Sequence, residues 1–234
     1  MDLKKAAAEK AVTFIQPNTT IGLGAGSTMA YIAGLLNEAI SKGLKINVLT
    51  SSYTTRRLLE GFGINVVAAN AISFIDIYFD GCDQVDKNIN ALKSGGGIHT
   101  QEKILASMAK EFMIVGDEGK YVKTFDTKYP LVIEILPQAI SYVVSVIEKL
   151  FPGVVTSLRI NDKRDGAVIS ENGNYLLDVF FKEWPELSAL SNATKYITGV
   201  VETSLFYNIA SSFIMGSKDG VQVIKKQSMN NECT

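Results

Sequence analysis

The sequence predicts an α/β protein in which a doubly wound parallel sheet is joined to a smaller α+β domain with antiparallel pairing. Three observations carry this expectation. Apolar runs of strand length alternate with stretches of helical periodicity through the first half of the chain. A glycine-rich loop, Gly22-Leu23-Gly24-Ala25-Gly26, separates the first such run from a long amphipathic stretch. From Tyr129-Pro130 onward the rhythm changes to strand candidates divided by hairpin-type turns, as at Glu171-Asn172-Gly173-Asn174.

The elements follow in order. Ala6, Ala7, Ala11, Phe14 and Ile15 recur at helical spacing over 2–16, and Pro17-Asn18 breaks the pattern. Residues 20–24 read as a buried strand, and 27–39 as a helix with Met29, Ile32, Leu35 and Leu36 on one face. Strands are expected at 45–50, 64–67 and 75–80, with a helix at 54–62 between the first two. A helix over 100–112, with Thr100 as its N-cap, leads into a strand at 112–117. The smaller domain offers strands at 131–136, near 156–160, at 167–170 and at 175–181, with a helix at 138–150. A last strand at 212–216 and a turn at 218–221 return to the first domain. The expected boundaries are 1–129 plus 206–234 for the larger domain and 130–205 for the smaller. In an open parallel sheet of this kind, ligands bind at the carboxyl ends of the strands.

Composition narrows the function. The 234 residues are 47% hydrophobic and 20% charged, ordinary for a chain that buries a real core and unlike disordered or fibrous sequences. Twenty-three basic and 24 acidic residues give a formal net charge of −1, so no global field attracts nucleic acid or acidic lipid, and an anionic ligand needs a local cluster. No apolar run reaches membrane-spanning length, and the amino terminus lacks a signal-peptide core, so a cytoplasmic protein is expected. Cys82 and Cys233 suggest neither a disulfide framework nor zinc spacing. With a single histidine, His99, acid–base chemistry falls to carboxylates and lysines.

Four constellations carry chemistry. Gly22 to Thr28 sits between a strand and a helix, where backbone N–H groups and the positive helix end hold a phosphate. The loop has no Walker lysine, Ser27 stands where the last dinucleotide glycine belongs, and Thr50-Ser51-Ser52 replaces a ribose-binding acid. A small phosphorylated ligand therefore fits better than NAD or ATP, since hydroxyls at Ser27 and Thr28 suit a terminal phosphate, and no cofactor is expected; a tight strand-to-helix turn with a capping serine is the structural alternative. Asp80-Gly81-Cys82-Asp83 places two carboxylates at the end of a buried strand, where they bind hydroxyls or relay a proton; an Asx-type turn is the structural alternative. Lys93-Ser94-Gly95-Gly96-Gly97 supplies a cation beside flexible amides, as a developing oxyanion requires. Glu102, in the first turn of the next helix, reads as a general base or as a carboxylate complementing the helix dipole. The dipole lowers its pKa and Asp80 and Asp83 raise it. Asp117-Glu118-Gly119-Lys120 delivers Lys120 to the same edge, and Lys4 on the first helix is a further cation. Cys82 reads as a small buried filler and His99 as a packing residue.

In this order the four blocks resemble the type A ribose-5-phosphate isomerase family, with weaker echoes at Val132 to Pro137, Asn172-Gly173-Asn174, Gly199 to Thr203 and Asp219-Gly220-Val221. The resemblance implies a Rossmann-like large domain, a smaller ferredoxin-like α+β domain and a homodimer or tetramer. It also implies metal-free interconversion of ribose 5-phosphate and ribulose 5-phosphate, a step of the non-oxidative pentose phosphate pathway. By position, Glu102 is the proton acceptor and Asp80 and Asp83 contact the sugar hydroxyls and help open the ring. Lys93, Lys120 and the Gly95 to Gly97 amides bind substrate; Ala25, Gly26, Ser27 and Thr28 face its phosphate, with Lys4 as helper. Gly81, Cys82 and Ser94 complete the implied pocket. Ala25 stands where the family has threonine or serine, Ser94 replaces a glycine, Cys82 an alanine, Gln84 a glutamate, His99 a leucine and Ser204 a glycine. The reaction expected passes through a cis-enediol. The alternatives are isomerisation of a related sugar phosphate, a phosphosugar-binding regulatory module, and a CoA-transferase-like acyl enzyme using Glu102 as nucleophile. A repressor-type module is expected to carry a DNA-reading helix-turn-helix ahead of the domain, and the roughly 20 residues before the first strand hold no basic patch.

Overall fold

The computed structural model describes residues 2–161 and 165–226; the tail with Cys233 lies outside them. Helix α1 (Leu3–Val12) begins where Asp2 Oδ1 accepts from the Lys4 and Lys5 amides at 3.0 and 3.2 Å. Its Ala7, Ala8 and Ala11 are fully buried, and side chains this small let the helix lie close on its neighbours. Strand β1 (Thr20–Leu23), helix α2 (Ser27–Ser41), strand β2 (Asn47–Thr50), helix α3 (Tyr53–Gly61) and strand β3 (Ile75–Asp80) form the expected alternation. Two short strands follow, β4 (Gln84–Val85) and β5 (Ala91–Leu92), then helix α4 (His99–Met108) and strand β6 (Ala109–Asp117). Next come β7 (Leu131–Ile135), α5 (Ile140–Leu150), β8 (Val155–Leu158), β9 (Tyr175–Phe180), α6 (Leu187–Lys195) and β10 (Val200–Thr203). The chain ends through β11 (Leu205–Phe206), β12 (Ser212–Ser217) and β13 (Gly220–Lys225).

The large sheet has the order β13-β12-β6-β3-β1-β2, parallel throughout except for β13, which pairs antiparallel with β12. Alternation along β3 and β6 feeds two cores. Phe79, Met113 and Val115 pack with Ile21, Met29 and Ile32 on one face; Tyr78, Phe112 and Ile114 pack with Leu105, Phe206 and Phe213 on the other. The run β7-α5-β8-β9-α6-β10 builds a four-stranded antiparallel sheet in the order β10-β7-β9-β8, the split βαβ arrangement of ferredoxin-like folds. Its own core gathers Leu131, Ile133, Val143, Ile147, Leu177 and Leu190. A small sheet, β11-β5-β4, holds the segment that carries Lys93.

Several expectations need correction. Residues 64–67 make only an isolated bridge, Val48 to Val66, because the chain turns at once into a 3-10 segment at Ala69–Ala71. Residues 167–170 likewise form single bridges, Ile160 to Ala167 and Ile169 to Tyr175, rather than a strand. The turn after β12 leads into β13, so the sheet gains an antiparallel edge. Helix α4 ends at Met108, and Ala109 already has extended backbone with ψ of 135°. Thr100 is not its N-cap: that position is Ile98, and the Thr100 hydroxyl donates instead to Glu134.

Candidate active site

The carboxyl ends of β1, β3 and β6 meet at a cavity of about 290 Å³. Gly26 opens α2 with φ of +100°, a left-handed conformation that favours glycine, and no side chain caps that helix. Its first amides are therefore available to an anion. Ser27 and Thr28 line the cavity beside them, and Lys4 Nζ lies 3.4 Å from Ser27 Oγ. Lys120 closes the same end from the turn after β6.

At the other end a buried cation sits between two carboxylates. Lys93 Nζ is 3.0 Å from Asp80 Oδ2 and 3.2 Å from Glu102 Oε1, and it donates to the Gly81 carbonyl at 2.5 Å. Its backbone is fixed by the small sheet, with the Lys93 amide donating to Ser204 O at 3.0 Å. Asp80 is fully buried: Oδ1 accepts from the Gly81 and Ala25 amides at 2.7 and 3.2 Å, and Oδ2 accepts from the Tyr78 hydroxyl at 2.8 Å. Gly24 leaves the room this requires, since a Cβ there would stand 1.9 Å from Asp80 Oδ1. Asp83 Oδ2 accepts from the Ser94 and Gly95 amides at 2.6 and 3.0 Å and so shapes the glycine loop.

These surroundings set the proton affinities. Burial, and then repulsion from Asp80, push the Glu102 carboxyl up to about 8, with Lys93 offsetting part of the rise. The first-turn dipole does not win. Burial alone would lower the Lys93 ammonium, but Asp80 and Glu102 outweigh it and hold Lys93 above the ordinary lysine range. Burial pushes the Cys82 thiol up to about 12, so it is no ready nucleophile. His99, buried with Nε2 3.2 Å from Glu202 O, is lowered to about 4 by burial and by Lys103 and stays neutral.

The structure gathers Lys4, Ala25, Gly26, Ser27, Thr28, Gly81, Cys82, Asp83, Lys93, Gly95, Gly96, Glu102 and Lys120 around one cavity. Asp80 and Ser94 stand behind that surface: Asp80 contacts Lys93, and Ser94 Oγ donates to Pro130 O at 2.5 Å. Sequence reasoning missed Val115, Gly116 and Asp117, which also line the cavity, and Tyr78, which braces Asp80. The first three end a strand already aimed at the site; Tyr78 carried no signal beyond strand alternation.

A Rossmann-like sheet whose strand ends unite an uncapped helix terminus with a lysine, a carboxyl of raised proton affinity and a glycine loop has the parts of a phosphosugar enzyme site. Comparison with known proteins narrows this further. The sequence profile of ribose 5-phosphate isomerase A (phosphoriboisomerase A) matches residues 47–220. Ribose-5-phosphate isomerase A of Pyrococcus abyssi is 37% identical over 227 residues, covering 96% of this chain and 98% of the relative. That of Thermosynechococcus vestitus is 35% identical over 216 residues, covering 92% and 91%. Among solved structures, a D-ribose-5-phosphate isomerase in complex with phospho-erythronic acid superposes with a TM-score of 0.89 at 34% identity, covering 96% of this chain and 98% of that one. The ribose 5-phosphate isomerase A of Methanocaldococcus jannaschii gives 0.89 at 33% identity, covering 96% and 99%. The chain belongs to the ribose 5-phosphate isomerase A family.

Proposed function

We propose that this protein interconverts ribose 5-phosphate and ribulose 5-phosphate through a cis-enediol, with Glu102 as the base. The observation that carries the reading is the single cavity joining the uncapped start of α2 to the Lys93–Glu102 pair. The phosphate binds at α2 with Lys4 and Lys120, and the open-chain sugar extends toward Glu102. Glu102 takes the proton from C2; the C–H electron pair forms the C1–C2 double bond while the carbonyl pair moves onto O1. Lys93 and the glycine amides stabilise that charge, worth about 10²–10³-fold for each donor. O1 takes a proton, O2 gives one up, and Glu102 returns its proton to C1. A base with proton affinity near neutral is suited to taking and returning a proton, and Glu102 at about 8 meets that requirement. Asp80 acts from behind Lys93, and Asp83 faces the sugar hydroxyls.

We take the active form to be a homodimer, acting in the cytoplasm on a free sugar phosphate without nucleic-acid or membrane partners. The division into 1–129 with 206–234 and 130–205 belongs to the same proposal, supported by the separate cores of the two larger sheets. Proton NMR of ribose 5-phosphate with the protein in D₂O containing a chelator tests the reading. Ribulose 5-phosphate is expected with the wild type and about 10³-fold more slowly with Glu102→Gln. Near wild-type turnover in that variant removes Glu102 as the base; saturable binding without conversion turns the reading to another phosphosugar or a sensor.

A further inference from the structure

Beyond the residues that line the cavity, the glycine loop is gripped from two sides. Asp83 takes the amides of Ser94 and Gly95. From just past β8 of the four-stranded sheet, the guanidinium of Arg159 takes the carbonyls of the same two residues, Nη2 donating to Ser94 O at 2.9 Å and Nη1 to Gly95 O at 3.1 Å. Arg159 is itself oriented by a two-point contact with Asp178, at 2.6 and 3.1 Å. Gly97 then turns with φ of +69°, where a Cβ would meet Leu176 Cδ1 at 2.7 Å and Arg159 Nη1 at 3.8 Å, so the loop is seated on that sheet.

In a trans peptide the carbonyl and the following N–H point opposite ways, and no cis peptide occurs among the described residues. With the Ser94 carbonyl on Arg159, the Gly95 N–H must face Asp83, and it does. With the Gly95 carbonyl also on Arg159, the Gly96 N–H must face the same way. Gly96 lines the cavity, and its amide has no hydrogen-bond partner among the described residues. One guanidinium therefore sets the direction of the Gly96 amide.

We infer that Arg159, oriented by Asp178, is a positioning residue that holds the Gly96 amide toward the reacting oxygen of the substrate. The inference rests on the isomerase reading for its substrate and on the peptide geometry for its logic. Arg159 touches no reacting atom; it acts through the loop. A lysine at this place keeps a charge for Asp178 but lacks the planar fork needed to span both carbonyls and the carboxylate.

The test compares wild type, Arg159→Ala and Arg159→Lys by steady-state kinetics on ribose 5-phosphate, thermal unfolding, and amide hydrogen exchange over 94–97. For Arg159→Ala we expect kcat to fall about 10²-fold, the scale of one oxyanion donor, with KM changed by less than about threefold. The Ser94 and Gly95 amides, held on Asp83, should exchange faster, and added ethylguanidinium should restore part of kcat. Arg159→Lys should keep the wild-type melting temperature with an intermediate kcat. Unchanged kcat in Arg159→Ala overturns the inference, as does a loss that follows the melting temperature and that ethylguanidinium does not relieve. If the wild type itself fails to convert ribose 5-phosphate, the substrate reading falls, and hydrogen exchange still decides the brace: faster exchange at Ser94 and Gly95 supports it and unchanged exchange overturns it.

Discussion

Replacing Glu102 by glutamine is expected to stabilise the protein in alkaline solution and to change little in acid. Glu102 shares one buried cation with Asp80, Lys93 Nζ standing 3.2 Å from one and 3.0 Å from the other. When both acids are ionised, the desolvated cluster carries an excess negative charge; when Glu102 holds a proton, it is neutral. Burial and Asp80 accordingly raise Glu102 from its ordinary 4.5 to about 8. Between those values the folded state binds more protons than the unfolded chain, so stability falls as pH rises from about 4.5, and the loss is complete above about 8. A tenfold change in proton affinity is about 1.4 kcal/mol, which sets a ceiling of about 5 kcal/mol. For a chain this long, each kcal/mol moves the melting temperature by about 2–4 °C, so even a fifth of the ceiling is measurable. The neutral glutamine keeps the shape and removes the penalty. Thermal unfolding of both proteins at pH 5, 7 and 9 and constant ionic strength should show curves that coincide near pH 5 and separate in favour of Glu102→Gln at pH 9. A difference independent of pH, or a more stable wild type at pH 9, would refute the reasoning. With Glu102 as the proposed base, kcat/KM of the wild type should rise as pH passes about 8, where Glu102 gives up its proton.

Other substitutions probe the supports of the cluster. Lys93→Met leaves Asp80 and Glu102 facing each other without a cation, and is expected to cost about 3–5 kcal/mol in urea unfolding at pH 8. Less is lost at pH 5, where Glu102 is neutral, and turnover falls about 10²–10³-fold. Gly24→Ala puts a Cβ 1.9 Å from Asp80 Oδ1 and must displace that carboxylate. A loss of about 1–3 kcal/mol, with a lower kcat, is the expected result. Ala25→Ser returns a hydroxyl to the phosphate end of the cavity. At about 0.5–1.5 kcal/mol for one hydrogen bond it should lower KM about two- to tenfold and leave kcat unchanged; an unchanged KM would place the phosphate elsewhere.

Legibility followed the range of the interactions. The unit β1, loop and α2 was plain because its glycines and its apolar spacing are local signals, and the proposed phosphate site is made from that same segment. Lys120 follows a strand candidate, Lys93 leads the glycine loop and Glu102 opens a helix candidate, so their common edge could be expected from the alternation of elements. The short strands β4, β5 and β11 have two residues each, too few for any periodicity, although they fix the backbone of Lys93. Helix α6 spans nine residues and is opened by Glu186, which accepts from the Ser188 and Ala189 amides, a cap outside the usual set. Thr100 has the residue type of an N-cap, but Glu134, 34 positions later, is a buried carboxylate that also accepts from Ser170 and Asn174 and claims its hydroxyl. Arg159 and Gly95 are 64 positions apart, so their contact exists only once the smaller sheet is docked.

The cluster also shows how one fold makes two similar acids unequal. Asp80 spends its oxygens on four donors: two amides, the Tyr78 hydroxyl and Lys93. Glu102, which lines the cavity, receives Lys93 on Oε1, and Oε2 has no partner among the described residues. Glu102, buried beside Asp80 and holding fewer donors, is the carboxyl whose proton affinity rises. The asymmetry arises from backbone rather than from residue type. The turn at Gly24 and Gly81 points two amides at Asp80, while Glu102 rises from a helix whose own first amides point away along the axis. Exchanging the two residue types would therefore leave the mobile proton on the α4 side. The raised proton affinity of Glu102 is in this sense a product of the strand-end turns as well as of its own burial.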